Sequence, residues 1–185
     1  MDIILDIETA PLTDEAAPED ALSPITGRIV GIGLKYLKEE LIIIEQNEKI
    51  IIEQFWNKIG ELQKRFSTLR FVGFNIVDFD YYFIVTRSLA NNIKIIRQNP
   101  TSFIDLRQHL CIFKQHGKKG TLKEYAKLSG IEGKYLGLTG ASIPLLWKMK
   151  KYEEIKNYLS ADLRITEQLH SKCKELNIMA DYENK

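Results

Sequence analysis

The sequence predicts an α/β fold, with helices packed against a mixed β-sheet. The first observation is order: β-rich segments open the chain, and helical and strand-like segments then alternate, a succession typical of this class. The second is size and polarity, since 185 residues of which 44% are hydrophobic can bury a sizeable core and are not typical of a disordered chain. We expect a single domain over residues 1–178, followed by a C-terminal tail at 179–185.

The strands are predicted mainly from β-branched and apolar runs. Residues 3–9 are apolar until two acids interrupt them, and residues 28–37 and 41–46 are separated by a short charged turn, which predicts an antiparallel pair. Residues 10–27 hold three of the five prolines and several acids, which favours a loop. Further short strands are expected at 69–74, 93–96 and 102–106.

The helices are predicted from apolar residues recurring at intervals of three and four. Within residues 48–66 the recurring residues are Ile52, Phe55, Trp56, Ile59 and Leu62. A second helix is expected at 79–92. A third, at 121–131, begins with a capping-box pattern in which Glu124 follows Thr121 by three residues. The segment 142–176 is helical in pattern, with one break near Lys150.

Composition limits the possible partners and compartments. A net charge of +1 gives no overall field for a polyanion, so contact with a nucleic acid would need a local basic patch. There is no signal peptide pattern, and no apolar run is long enough for a bilayer. The two cysteines lack metal-ligand spacing. We therefore expect a cytoplasmic protein with free thiols and no membrane contact.

The first chemical signal is the pair of acids that closes the opening strand. Asp6 and Glu8 project from one side of that strand, because successive residues alternate between faces. They lie at the strand's carboxyl end, where open α/β sheets place their ligands. The alternative is a strand end that simply emerges into water.

The second signal lies where the strand 69–74 gives way to a helix. Asp80 is expected in the first helical turn, again at a strand's carboxyl end. An aspartate there stabilises the helix dipole without any further role, and Asp78 as the N-cap residue is an equally simple reading. Taken alone, this site favours a structural role.

The third signal is a tyrosine and an aspartate on the last predicted helix. Tyr158 and Asp162 are four residues apart and therefore share one helix face. An exposed, solvated face is the alternative. Each of the three signals is weak alone, but their joint occurrence in this order is informative.

Together the three segments resemble the motifs of the DEDD 3′–5′ exonucleases of the RNase H-like fold. The matching residues are Asp6 and Glu8 in LDIET, Asn75, Phe79 and Asp80 in NIVDFD, and Tyr158 and Asp162 in YLSAD. The tyrosine is typical of the DEDDy branch; where the DEDDh branch has a histidine, this chain has Asn157. The segments LRFVGFNIVDFD, SFIDL and LSGIEGK are similar to those of free-standing relatives of the family-B DNA polymerase proofreading domain.

The resemblance implies two-metal hydrolysis of a phosphodiester. Four carboxylates, from Asp6, Glu8, Asp80 and Asp162, would hold two Mg²⁺ or Mn²⁺ ions, which prefer oxygen ligands. In the family's scheme Asp6 bridges both ions, Glu8 and Asp162 complete the site of the attacking water, and Asp80 serves the ion near the leaving 3′ oxygen. Tyr158 would orient the water. Asp105, in SFIDL, is expected to be structural or to lie outside the ligand set.

The implied substrate is the 3′ end of single-stranded DNA, shortened with release of nucleoside 5′-monophosphates. Thr9, Asn75 and Phe79 would contact the strand. Candidates for phosphate contacts are Lys114, Lys118, Lys119, Lys134, Lys148, Lys150 and Lys151, and candidates for base stacking are Tyr81, Tyr82 and Tyr135. Ordinary solvated surface and core packing are the alternatives for these residues. Two other functions stay open: an exoribonuclease resembling RNase D, and a catalytically silent nucleic-acid-binding or docking module.

Overall fold

The computed structural model describes residues 1–112, 116–131 and 137–179. Its centre is a five-stranded sheet in the order β3-β2-β1-β4-β5. The strands are β1 (Asp2–Pro11), β2 (Gly27–Tyr36), β3 (Glu39–Ile43), β4 (Arg70–Gly73) and β5 (Phe103–Asp105). β1, β2 and β3 pair antiparallel, whereas β1, β4 and β5 run parallel. The predicted mixed sheet and its antiparallel pair are confirmed.

Helices cover both faces of the sheet. They are α1 (Glu48–Arg65), α2 (Asp80–Ala90), α3 (Leu106–Leu110), α4 (Leu122–Leu128), α5 (Ile143–Lys148) and α6 (Tyr152–Glu175). Ile3, Leu5 and Ile7 of β1 join the core formed with α1 and α2, whereas Ile4 packs in a second core with Leu163 of α6. The alternation of β1 thus places Asp6 and Glu8 on the α6 side, opposite the larger apolar core.

Two short segments differ from the sequence prediction. Residues 93–96 are not a strand: they are irregular, and their isoleucines are partly buried against the core around α1. An apolar run can thus be held by side-chain packing without ladder hydrogen bonds. The strand expected at 102–106 contains only Phe103–Asp105, because Asp105 already caps α3 by accepting from the Arg107 N–H.

The ends of the later helices agree with the sequence pattern. Thr121 and Glu124 form the expected capping box at the start of α4. The break near Lys150 is confirmed, since this residue adopts a positive φ of 58° between α5 and α6. Such a left-handed conformation ends a helix.

The segment expected to be a loop at 10–27 is more ordered than predicted. β1 continues to Pro11, which pairs with Gly27, and a 3₁₀ helix spans Pro18–Leu22. Gly27 has no room for a side chain, because a Cβ atom there would lie 2.8 Å from the Asp20 carbonyl oxygen. The Arg87 guanidinium donates to the Pro24 carbonyl oxygen at 3.2 Å. These contacts make the segment a fixed wall beside the carboxyl end of β1.

Both cysteines are free thiols, with Cys173 buried and Cys111 partly exposed. Over the described residues, the helices are all too short or too polar to cross a lipid bilayer.

Candidate metal centre

Three carboxylates from two distant segments meet beside the sheet. Asp6 and Glu8 of β1 and Asp162 of α6 each offer one oxygen, and these three oxygens lie within 4.8 Å of one another. Glu8 and Asp162 are buried, whereas Asp6 is partly exposed. The first and third sequence signals therefore converge on one point.

Two glycines of β2 allow this convergence. Gly33 pairs with Asp6 and Gly31 pairs with Glu8, so both glycines lie under α6. A Cβ atom on Gly33 would lie 2.7 Å from Leu163 Cδ1, closer than real Cβ atoms approach. The missing side chains bring α6 close to the sheet, which places Asp162 beside the acids of β1. The register of β1 and β2 also shifts between Glu8 and Thr9, a bulge of the kind found next to active sites.

Asp80 joins the same region from the start of α2. It is buried, and its Oδ1 accepts a hydrogen bond at 3.0 Å from the N–H of Ile7, the residue between Asp6 and Glu8 in β1. Burial raises its pKa to about 8, although this hydrogen bond acts in the opposite direction. Asp80 is not one of the three residues whose oxygens lie within 4.8 Å, but it lines the same cavity.

Asp78 lies outside this group. Its carboxylate forms an ion pair with Lys118, 2.5 Å away. It is not the N-cap residue of α2, a position that belongs to Phe79. The hypothesis of Asp78 as N-cap is therefore wrong, since the chain is still turning at that residue.

The clustered acids repel one another. Burial, followed by the charges of Asp80, Glu8 and Asp162, raises the pKa of Asp6 well above its usual range. The pKa of Glu8 is raised in the same way, by burial first and then by Asp162. Within the described residues, Asp162 Oδ1 is buried without a hydrogen-bond partner. An all-oxygen donor set with excess negative charge and an unpartnered oxygen fits a hard divalent cation such as Mg²⁺ or Mn²⁺.

A lysine that was not predicted from the sequence, Lys123, lies beside the acids. Lys123 Nζ donates to the Tyr158 hydroxyl at 3.0 Å and to the Leu138 carbonyl oxygen at 2.7 Å, and it lies 4.3 Å from the centre of the tyrosine ring. Its charge lowers the pKa values of Asp6, Glu8 and Asp162, against the larger effect of burial. No pattern in the sequence links Lys123 to the acids, because only the docking of α4 against α6 brings them together.

Tyr158 is buried next to Asp162. Burial first, and then the Asp162 charge, raises the pKa of its hydroxyl above the usual range. The tyrosine therefore stays protonated at neutral pH and can act as a hydrogen-bond donor rather than a base.

A cavity of about 470 Å³, which we call the acid cavity, opens over these carboxylates. It is lined by Thr9, Asn75 and Phe79, the residues predicted to contact the DNA strand. Its other lining residues come from β1, the 3₁₀ helix at Pro18–Leu22, the turn before α2, and residues 140–144, which form a 3₁₀ turn and the start of α5. The wall formed by residues 18–22 was not foreseen as part of the site.

Asp105 holds the turn that carries Asn75. Its Oδ1 accepts the backbone N–H groups of Asn75 and Arg107, both at 3.0 Å. Asn75 has a positive φ of 68°, which this hydrogen bond helps to maintain. Asp105 is buried and supports the turn.

Comparisons with known proteins identify the family of this chain. Residues 34–184 match a family described as "Predicted 3'-5' exonuclease related to the exonuclease domain of PolB". The chain belongs to this family. An uncharacterized protein of Methanocaldococcus jannaschii is 32% identical over 178 residues, covering 90% of this chain and 92% of that protein. The resemblance inferred from the sequence is thus confirmed.

The fold is also similar to that of one part of a solved polymerase. The family B DNA polymerase of the hyperthermophilic archaeon Pyrobaculum calidifontis superposes with a TM-score of 0.73 at 19% identity. The match covers 96% of this chain and 25% of the polymerase chain, so this chain corresponds to about a quarter of that protein. The predicted exonuclease-type α/β fold is confirmed.

Some residues that were predicted to contact the nucleic acid have other surroundings in the structure. Tyr81 is partly buried, with its ring centre 4.3 Å from that of Phe103 and 6.4 Å from that of Trp56, so it contributes to the core instead of a stacking surface. Tyr82 is half exposed. Lys114, Lys134 and Tyr135 lie outside the described residues.

The remaining lysines have different surroundings. Lys118 is paired with Asp78, and Lys151 lies 2.9 Å from the Glu154 carboxylate. Lys119, Lys148 and Lys150 are exposed. The Nζ of Lys148 donates to the Asp14 carbonyl oxygen at 3.1 Å. This contact joins α5 to the segment 10–27, which borders the acid cavity.

Proposed function

We propose that this chain is a metal-dependent 3′–5′ exonuclease that removes nucleotides from the 3′ end of single-stranded DNA. The observation that carries the proposal is the group formed by Asp6, Glu8 and Asp162, whose oxygens lie within 4.8 Å at the base of the acid cavity. Membership of a family of predicted exonucleases supports the reaction class.

Asp6, Glu8, Asp80 and Asp162 would hold two Mg²⁺ or Mn²⁺ ions. When bound, such ions offset the repulsion between the acids, lower the pKa of a bound water and stabilise charge at phosphorus. The Ile7 N–H fixes the Asp80 carboxylate toward the acids of β1, so this ligand needs little reorganisation. The unpartnered Oδ1 of Asp162 provides a further oxygen without breaking an existing hydrogen bond.

Tyr158 and Lys123 would act on the attacking water and the phosphate. The tyrosine hydroxyl stays protonated, so it orients the water by hydrogen bonding and does not take its proton. Lys123 fixes that hydroxyl at 3.0 Å and brings a positive charge toward the phosphate, where negative charge develops.

The acid cavity would take the terminal nucleotide. Its volume of about 470 Å³ lies in the usual range for small-molecule sites. Thr9, Asn75 and Phe79 would contact this nucleotide, and the wall at Pro18–Leu22 would exclude a paired strand. The products would be nucleoside 5′-monophosphates.

The test is degradation of a 5′-labelled single strand of DNA in Mg²⁺, Mn²⁺ or EDTA. We expect a ladder that shortens from the 3′ end with either metal and no change in EDTA. Asp6→Asn and Asp162→Asn should abolish cleavage while the circular dichroism spectrum stays that of the parent. Cleavage that survives both substitutions would show that this site is not responsible.

A matched RNA strand distinguishes the remaining functions. We expect DNA to disappear faster than RNA of the same sequence. Faster loss of RNA would instead identify an exoribonuclease resembling RNase D. Strand binding without cleavage in either metal would identify a nucleic-acid-binding module and refute the enzymatic proposal.

A further inference from the structure

A second cavity adjoins the acid cavity. It has a volume of about 240 Å³ and lies between the end of β1, residues 13–18 and α5. Pro18 and Pro144 line both cavities, so the two cavities border each other at these residues. A chain-like ligand that fills the acid cavity can therefore continue past the two prolines into the second cavity.

The two cavities differ in charge, because the second one contains a cation. The acid cavity is lined by the carboxylates of the candidate metal centre, whereas the charged residues that line the second cavity are Lys148 and Asp14. Arg28 lies behind this lining, next to Asp14 and Trp147. The Arg28 guanidinium carbon lies 5.5 Å from the centre of the Trp147 ring, a cation–π contact with a residue that lines the second cavity. Among the described residues, Arg28 Nε is buried without a hydrogen-bond partner.

Asp14 balances these cations only loosely. Its carboxylate lies 3.8 Å from the Arg28 guanidinium, and its side chain is 56% exposed. Its backbone carbonyl, not its carboxylate, accepts from Lys148 Nζ. Lys148 thus keeps two of its three ammonium hydrogens for another acceptor. The arrangement suits an anion that brings several oxygens to both cations at once.

We propose that the second cavity is a subsite for the backbone phosphate of the nucleotide that precedes the terminal one. The inference rests on the exonuclease function proposed above. The terminal nucleotide occupies the acid cavity, the chain passes between Pro18 and Pro144, and the next phosphate contacts Lys148 and Arg28. Leu145, which lines the cavity and is 61% exposed, packs against the sugar or base of that nucleotide.

A strand phosphate and the phosphate of a released nucleotide share the same chemistry. The structure favours the strand, because the second cavity borders the acid cavity at Pro18 and Pro144 and a strand places one phosphate in each. A released monophosphate carries a single phosphate, so it cannot contact the second cavity while that phosphate still lies in the acid cavity.

The test compares a substrate that reaches the second cavity with one that does not. The p-nitrophenyl ester of thymidine 5′-monophosphate has one nucleotide and no preceding phosphate, whereas a thymidine tetranucleotide with the same 3′ end has several. For Lys148→Gln we expect kcat/KM for the tetranucleotide to fall about tenfold relative to that for the ester, through KM. The salt dependence of log KM for a long single strand should weaken by about 0.7, the value for one lost phosphate contact.

Lys64→Gln is the matched control, since Lys64 is an exposed lysine on α1, and it should leave both the ratio and the slope at the parent values. A Lys148→Gln ratio equal to that of Lys64→Gln would refute the subsite. So would a change confined to inhibition by added thymidine 5′-monophosphate, which would assign the site to the product. If the parent protein hydrolyses neither substrate with Mn²⁺, the exonuclease function itself fails, and the failure is then not specific to Lys148.

Discussion

The crowded acids should make the metal-free protein less stable than a variant that lacks one of them. We consider Asp6→Asn, which removes one charge of the cluster formed with Glu8, Asp80 and Asp162 but keeps the size of the side chain. Each of those neighbours raises the pKa of Asp6. The native state of the parent therefore carries repulsion that the unfolded chain does not, and the asparagine variant carries less of it.

The expected gain follows from the spacing of the carboxylates. Two unit charges 4.8 Å apart repel by about 3.5 kcal/mol at an effective dielectric constant of about 20. Partial protonation of the parent relieves some of this repulsion, so we expect Asp6→Asn to raise the free energy of unfolding by about 1–3 kcal/mol in EDTA at pH 8. For a chain of 185 residues this corresponds to a rise in Tm of roughly 3–10 °C.

The pH dependence gives the sign of the effect. A carboxyl group whose pKa is raised by folding favours the native state at low pH, and this contribution is lost as the pH rises through the native pKa. The pKa of Asp80 is about 8, and those of Asp6 and Glu8 are also raised. The advantage of Asp6→Asn should therefore be largest near pH 8 and shrink toward pH 5.

Thermal melts followed by circular dichroism, with EDTA or Mn²⁺, measure these effects. Mn²⁺ should raise the Tm of the parent and have little effect on Asp6→Asn, although the variant is the more stable protein in EDTA. Glu53→Gln, at an exposed acid of α1, is the control and should respond to Mn²⁺ as the parent does. A variant less stable than the parent in EDTA at pH 8 would refute the electrostatic reasoning.

Three further changes test other parts of the site and its support. Gly33→Ala should lower the free energy of unfolding by about 1–3 kcal/mol and should also lower turnover, because the new Cβ would collide with Leu163 and move α6 from the sheet. An unchanged Tm and unchanged activity would contradict this packing argument. Tyr158→Phe should lower kcat roughly a hundredfold with little change in KM, measured on labelled DNA; a parental rate would show that the hydroxyl is not needed. Glu48→Leu should destabilise the protein by about 3–5 kcal/mol in urea unfolding, since it leaves the largely buried Arg87 guanidinium without its carboxylate; a neutral result would refute the importance of that ion pair.

The sheet and the acids could be predicted because both depend on local patterns. The alternation of β1 is visible in the sequence, so the common face of Asp6 and Glu8 follows from it directly. The four-residue spacing of Tyr158 and Asp162 likewise predicts a shared helix face. Both patterns depend on residues close together in the sequence, and the folded structure has the strand and the helix that they predict.

The parts that were missed depend on contacts between distant segments. Lys123 reaches Tyr158 only because α4 docks against α6. The glycines of β2 appear in the sequence as a β-rich run, and their purpose is evident only when α6 lies over them. The isoleucines at 93–96 have the composition of a strand, but side-chain packing against the core decides their conformation. Order in residues 10–27 depends on hydrogen bonds that include one from Arg87 of α2.

The most direct measurement is anomalous diffraction from a crystal soaked in Mn²⁺. The account predicts anomalous peaks within bonding distance of the Asp6, Glu8 and Asp162 carboxylates, with Asp80 close to one of them, and no such peaks in a crystal of Asp6→Asn treated in the same way. Well-ordered carboxylates without a peak between them, or a peak only elsewhere on the protein, would contradict it.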